Sequence, residues 1–132
     1  MSTPGPNPGP DAELTAKRIL VVEDELMIRM LLEDMLSELG YTVTAEAARI
    51  DEALEAAKSA EFDVAILDVN LNGQTIAPVA EALAARGTPF VFATGYGERG
   101  LPEAYRDRPT LKKPFQMDGL SRMLETALSA KI

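Results

Sequence analysis

Phe62–Asn70, FDVAILDVN, is the segment that decides the fold. Five of the six residues from Val64 to Val69 are apolar, and the sixth is Asp68. A short apolar run bounded by polar residues is typical of a strand buried on both faces of a parallel sheet. Asp68 then lies at the carboxyl end of that strand, where open α/β sheets collect ligands and reacting groups. A single aspartate at such a position more often only ends a strand or begins a turn. The other residues predicted to lie at this edge therefore decide whether Asp68 belongs to a functional site.

Strand patterns alternate with helical patterns along the rest of the chain. Predicted strands are Arg18–Val22, Tyr41–Ala45, Phe62–Asp68, Pro89–Ala93 and Thr110–Lys112. Predicted helices are Leu26–Leu39, Arg49–Ala60, Ile76–Arg86 and Gln116–Ala130. This alternation predicts an α/β fold with right-handed crossovers and helices on both faces of a five-stranded parallel sheet. The natural arrangement is the doubly wound, flavodoxin-like strand order 2-1-3-4-5.

Apolar residues at helical spacing indicate which side of each helix faces the core. In the first helix these residues are Leu26, Met30, Leu31, Met35 and Leu39. In the second they are Ile50, Ala53, Leu54, Ala57 and Ala60, and in the last Met117, Leu120, Leu124 and Leu128. Gly40 and Gly87 stand where helices should stop.

Three segments are predicted to lie outside regular structure. Residues 1–16, rich in proline and glycine, are expected to be a disordered tail before a single domain at residues 17–132. Val69–Thr75 is predicted to be a loop, with a turn at Asn72-Gly73. Gly95–Asp107 is glycine-rich and is expected to be the most mobile part of the domain, so the helix before the last strand should be short or disordered.

Composition excludes several classes of function. The chain has 132 residues and a net charge of −8, which argues against nucleic-acid binding. It has no cysteine or histidine, so any bound metal should be a hard cation held by oxygen ligands. It shows no long apolar run and no signal-peptide pattern, so a soluble, cytoplasmic protein without membrane attachment is expected.

The predicted strand ends bring chemically complementary groups to one edge of the sheet. They supply Glu23 and Asp24, then Asp68, then Thr94, then Lys113. Crowded carboxylates repel one another unless a cation neutralises them, and Mg²⁺ suits a site made of oxygen ligands. With a lysine and a hydroxyl beside them, these groups suit phosphoryl transfer, in which Asp68 itself can be the nucleophile. Each residue alone also has an ordinary structural explanation, such as a helix N-terminus, a turn or a solvated lysine.

The sequence resembles the receiver domain of bacterial two-component response regulators. The resemblance covers Lys17 to Ala130 and rests on ILVVEDE, the strand that ends in Asp68, FATG and KKPF. FATGYG, residues 92–97, is also similar to the FAT GUY subgroup, whose members are often single-domain regulators.

The resemblance implies a role for each residue of the metal site. Asp68 matches the phosphoacceptor and Asp24 the direct Mg²⁺ ligand. Glu23 matches the acidic neighbour that acts through water, and the backbone carbonyl of Asn70 matches the third protein ligand.

The same resemblance assigns the phosphoryl-binding residues. Thr94 matches the hydroxyl residue that turns toward the phosphoryl group, and Lys113 matches the lysine that pairs with a phosphoryl oxygen. The peptide bond between Lys113 and Pro114 is expected to be cis. Thr110 stands where the family usually has an aromatic switch residue, so the switch is predicted to run through Tyr96, which could otherwise simply pack on its loop or meet a partner.

The resulting hypothesis is a single-domain response regulator in a phosphorelay. Its partners would be a histidine kinase or a histidine phosphotransfer protein and a downstream target protein. It would not be an enzyme beyond Mg²⁺-dependent self-phosphorylation and autodephosphorylation at Asp68. Two alternatives are a degenerate receiver that serves as a protein-binding module and a haloacid dehalogenase-type hydrolase. That hydrolase class needs a second acid where this chain has Asn70.

Overall fold

The structure is a computed structural model that describes residues 17–71, 73–94, 110–112 and 115–130. The predicted disordered tail at residues 1–16 and the predicted mobile segment Gly95–Asp107 both lie outside these residues. Tyr96, Lys113 and Pro114 lie outside them as well, so the expectations for the switch and for the cis peptide stay predictions.

Within these ranges the domain has a five-stranded sheet and four helices, besides two two-residue strands that form a separate hairpin. The strands are β1 (Arg18–Val22), β2 (Thr42–Ala47), β3 (Val64–Asp68), β4 (Phe90–Thr94) and β5 (Thr110–Lys112). The helices are α1 (Leu26–Glu38), α2 (Ile50–Ser59), α3 (Ala77–Ala85) and α4 (Met117–Ala130). Every one of these elements was predicted. Among the described residues, no helix combines the length and the apolar character that crossing a bilayer requires.

All five strands run parallel in one sheet. Their order is β2-β1-β3-β4-β5, which confirms the predicted topology. The paired positions Val22 with Leu67 and Asp68 with Ala93 show that β1, β3 and β4 reach the same edge. The ends of these three central strands are therefore neighbours.

The sheet is covered on both faces. On one face Leu20, Ala65, Leu67 and Phe92 pack with buried residues of α2 and α3. On the other face Ile19, Val21, Ile66 and Val91 pack with α1 and α4. All five residues of β3 are buried, as its apolar run predicted.

The inward face of α1 differs from the predicted one. The structure buries Leu32, Met35 and Leu36, of which only Met35 belonged to the predicted stripe. Leu26, Met30 and Leu31 are exposed, together with Met27. Nearly every position of this helix's first half is apolar, so the periodicity there fits two faces equally well, and packing against the sheet selects one.

The predicted faces of α2 and α4 are confirmed. Ala53 and Ala57 are buried while Ile50, Leu54 and Ala60 pack against the same core. Leu120 and Leu124 are buried, and Met117 and Leu128 pack beside them.

The predicted loop Val69–Thr75 is instead a small β-hairpin. Asn70–Leu71 pairs antiparallel with Gln74–Thr75. Gly73 has φ +80°, a left-handed conformation that glycine adopts readily and that a tight hairpin turn requires. Leu71, in the first strand of the hairpin, and Ile76, directly after the second, are both fully buried, so they anchor this segment in the core.

Candidate metal centre at the carboxyl edge of the sheet

The carboxyl edge of the sheet brings three acidic side chains together. Glu23 and Asp24 follow β1 directly, and Asp68 is the last residue of β3. Each offers one carboxylate oxygen, and these three oxygens all lie within 4.8 Å of one another. Sequence reasoning predicted this cluster, because neighbouring parallel strands that end in acidic residues must present them at one place.

Burial makes this cluster electrostatically costly without a cation. Glu23 is 1% exposed and Asp68 is 6% exposed, while Asp24 is half-buried. Like charges that are close together and withdrawn from water disfavour their ionised forms. Three carboxylate oxygens at this spacing, with one side chain reaching solvent, are the donor set of a hard divalent cation that keeps several waters. The residues present therefore fit Mg²⁺.

Several hydrogen bonds hold Glu23. Its backbone N–H donates to the carbonyl of Ala47 at 3.0 Å, which ties the end of β1 to the end of β2. Its carbonyl accepts from Nη1 of Arg29 at 2.7 Å. Its Oε2 accepts from the backbone N–H of Glu25 at 3.1 Å. The short connection from β1 to α1 is thus fixed by contacts on both sides of Glu23.

The hairpin after β3 places Asn70 next to the cluster. Val69 continues from β3 and donates its N–H to the carbonyl of Ala93 at 3.1 Å. Asn70 then pairs with Thr75, whose Oγ1 accepts from the N–H of Ala77 at 3.2 Å in the first turn of α3. The backbone that follows Asp68 is therefore connected to a helix start. A metal role for the Asn70 carbonyl stays a prediction.

Thr94 ends β4 beside Asp68. It is 2% exposed, and its neighbour Ala93 is paired with Asp68 in the sheet. Thr94 is itself paired with Lys112, the last residue of β5. β5 therefore ends at the edge where Asp68 and Thr94 lie, while Lys113 lies outside the described residues and its role stays a prediction.

Arg29 lies in a second cluster of charged side chains. The sequence pattern does not single out Arg29. Nε of Arg29 lies 3.3 Å from Oε1 of Glu46, a β2 residue. Burial, together with a hydrogen bond and charge repulsion from Glu33, raises the pKa of Glu46 to about 7, although Arg29 acts in the opposite direction. The only signal for Arg29 in the sequence is its place six residues after Glu23, on the helix that follows the acidic residues.

Comparison with known proteins agrees with this arrangement. The family model described as "Response regulator receiver domain" matches residues 19–125. The transcriptional regulatory protein PdtaR of Mycobacterium tuberculosis is 36% identical over 129 residues. That match takes in 95% of this chain and 62% of PdtaR, so the chain spans less than two thirds of this relative.

Solved structures show the same fold. The solution structure of SdrG from Sphingomonas melonis Fr1 has a TM-score of 0.77 and 47% identity, covering 86% of this chain and 97% of SdrG. The PhyR response regulator REC domain of Erythrobacter litoralis has a TM-score of 0.74 and 28% identity, covering 89% of this chain and 93% of that one. On the family match, the parallel sheet and the acidic cluster at its carboxyl edge, this chain belongs to the response regulator receiver family.

Proposed function

We propose that this protein is a single-domain response regulator that accepts a phosphoryl group on Asp68 and passes on the signal by a conformational change. The observation that carries the proposal is the cluster of Glu23, Asp24 and Asp68, with its three oxygens within 4.8 Å of one another. Asp68 lies at the centre of that edge, between the ends of β1 and β4. The FATGYG motif of residues 92–97 supports placement in the FAT GUY subgroup.

The transfer forms one bond and breaks one bond. A carboxylate oxygen of Asp68 attacks the phosphorus of a phosphohistidine on the donor protein. An O–P bond forms while the N–P bond breaks, and its electron pair returns to the imidazole nitrogen. Bound Mg²⁺ supplies charge neutralisation for the incoming phosphoryl oxygens. Asp24 and Asp68 would hold it directly, the carbonyl of Asn70 would complete the protein ligands, and Glu23 would act through water.

The remaining residues would read the new charge on Asp68. Thr94, buried beside Asp68 at the end of β4, would donate its hydroxyl to a phosphoryl oxygen. Lys113 would pair with another phosphoryl oxygen. We propose that Tyr96 reports the resulting movement, because Thr110 is too small to act as the aromatic switch.

The relatives support a regulatory role. One solved structure of SdrG, 47% identical to this chain, is described as its BeF3-activated conformation, and beryllofluoride mimics a phosphoryl group. PhyR of Bartonella quintana, 29% identical, is described as an anti-anti-sigma factor. We therefore propose a histidine kinase or histidine phosphotransfer protein as donor and a regulatory protein, not nucleic acid, as target, all acting in the cytoplasm.

Labelling by a small phosphodonor tests the proposal. We expect intact-mass spectrometry after incubation with Mg²⁺ and acetyl phosphate to show one added phosphoryl group. Asp68→Asn should abolish it, because the amide is not a nucleophile for phosphorus. Asp34→Asn is the matched control, since Asp34 is an exposed carboxylate of α1 that does not belong to the acidic cluster.

The outcomes separate the two remaining hypotheses. Labelling of Asp68→Asn as strong as that of the native protein would contradict Asp68 as the acceptor. Failure of the native protein to label, in the presence of Mg²⁺ and donor, would favour a receiver that acts only as a binding module.

A further inference from the structure

We infer that Arg29 is a positioning residue for the metal centre, acting by holding the backbone between Glu23 and Asp24 in its ligating conformation. This inference rests on the proposed Mg²⁺ site and identifies a residue outside the acidic cluster that sets its affinity. The contact that carries it is the 2.7 Å hydrogen bond from Nη1 of Arg29 to the carbonyl of Glu23.

The carbonyl of Glu23 belongs to the peptide group that leads into Asp24. Because a peptide group is planar, fixing the direction of this carbonyl also fixes the N–H of Asp24 and limits where its Cβ can lie. The other groups of Glu23 are held by Ala47 and Glu25, as described above. Arg29 holds this carbonyl from the side of α1, so removing its guanidinium takes away a restraint on the peptide group between the two acids.

Arg29 is itself held at two points. Its Nε lies 3.3 Å from Oε1 of Glu46, and its side chain is only 17% exposed. A guanidinium presents its donors in a rigid fork, so one side chain can bind a carboxylate and a carbonyl at once. Glu46 belongs to β2, so Arg29 links the acidic connection on one strand to the neighbouring strand. Arg29 therefore restrains the backbone of this connection more than it neutralises the charge of the acids.

The charge of Arg29 affects Mg²⁺ binding in the opposite direction to its geometric role. A cation bound at the backbone of Glu23 partly offsets the repulsion among the three buried carboxylates. That effect alone would stabilise the cluster in the absence of metal and so lower its affinity for Mg²⁺. The geometric role predicts the opposite result for a variant without the guanidinium, so metal affinity distinguishes the two.

Calorimetric titration with MgCl₂ of the full chain tests the inference. We expect Arg29→Met to weaken Mg²⁺ binding by about 10-fold to 100-fold, the usual effect of removing a group that orients metal ligands. Arg29→Lys keeps a single flexible donor and should recover part of that loss. A thermal melt of each sample without metal records the loss of stability separately.

Arg86→Met is the matched control. Arg86 also donates from its guanidinium to backbone carbonyls, those of Ala57 and Ala60, and its loss should lower the melting temperature in the same way. Because those carbonyls lie at the end of α2, away from the carboxyl edge, its Mg²⁺ affinity should equal that of the native protein.

Each outcome decides. A native Mg²⁺ affinity in Arg29→Met overturns the inference. Equal losses of Mg²⁺ affinity in Arg29→Met and Arg86→Met, or tighter Mg²⁺ binding by Arg29→Met, overturn it as well. If Arg29→Met does not fold, Arg29→Gln, which lacks the guanidinium and the reach to both partners, takes its place, and a native Mg²⁺ affinity in that variant likewise overturns the inference. Absence of Mg²⁺ binding by the native protein would overturn the proposed metal site and the inference together.

Discussion

At the scale of single residues, Glu46 is subject to opposing influences. Arg29, 3.3 Å away, favours its charged form. Burial and the hydrogen bond and charge of Glu33 favour its neutral form and prevail, so its pKa rises from 4.5 to about 7. The stabilisation that this raised pKa provides is complete below about pH 4.5 and is lost as the pH rises through about 7.

Glu46→Gln should therefore stabilise the protein at high pH. Glutamine stays neutral and can still hydrogen-bond, so we expect a higher melting temperature than native at pH 8 and little difference at pH 5. The gain should be about 1 kcal/mol, since a side chain that is one-third exposed is screened by solvent. Thermal melts at both pH values check this, with exposed Glu55→Gln as control. A melting-temperature difference that is the same at pH 5 and pH 8 would refute the assignment.

At the scale of elements, α1 contains adjacent leucines with opposite environments. Leu32 is 1% exposed and packs in the core under the sheet, whereas Leu31 is 44% exposed. Leu26, Met27 and Met30 extend the exposed apolar surface on the side of Leu31. The helix thus has one face that stabilises the fold and another that contributes little to it.

The two leucines provide a matched pair of substitutions. Leu32→Ala should lower the free energy of unfolding by about 2–5 kcal/mol, because it leaves a cavity in a packed core. Leu31→Ala should change it by roughly 0.5 kcal/mol, as surface substitutions do. Urea denaturation of both variants measures the difference. Similar losses in the two variants would mean that the face of α1 is assigned incorrectly.

At the scale of the whole molecule, the acidic cluster couples metal binding to folding. A cation that binds only the folded state stabilises it by mass action, by about 2.7 kcal/mol at 100 times its Kd. Here the cation would also relieve the repulsion among Glu23, Asp24 and Asp68. Stability of the domain should therefore depend on Mg²⁺ even without any phosphoryl group.

Mg²⁺ at millimolar concentration should raise the melting temperature of the native protein. Asp24→Asn should raise it in the absence of metal, because one charge is removed from the mutually repelling cluster, and should reduce the further rise on adding Mg²⁺. Differential scanning calorimetry with and without MgCl₂ measures both effects. Suppose that Mg²⁺ leaves the native melting temperature unchanged while Asp24→Asn has a higher one. That result would show that the acids repel one another without forming a metal site.

Much of this architecture could be predicted from local patterns in the chain. The strands, their order and the inward faces of α2 and α4 follow from apolar periodicity and from the rules of parallel crossovers. The meeting of Glu23, Asp24, Asp68 and Thr94 follows as well, because residues at the ends of neighbouring parallel strands share one edge whatever lies between them. The roles of Lys113, Pro114 and Tyr96 rest on the resemblance to the receiver family and stay predictions.

The buried face of α1, the hairpin after Asp68 and the contacts of Arg29 were decided by packing in three dimensions. Apolar residues cover α1 on more than one side, so only its approach to the sheet selects Leu32 over Leu31. Leu71 within the predicted loop and Ile76 directly after it are buried in the core, and the backbone of the loop pairs as a hairpin. Arg29 meets Glu46 because β1 and β2 are neighbours, and partners so far apart in the chain leave no local pattern for a reader of the sequence to find.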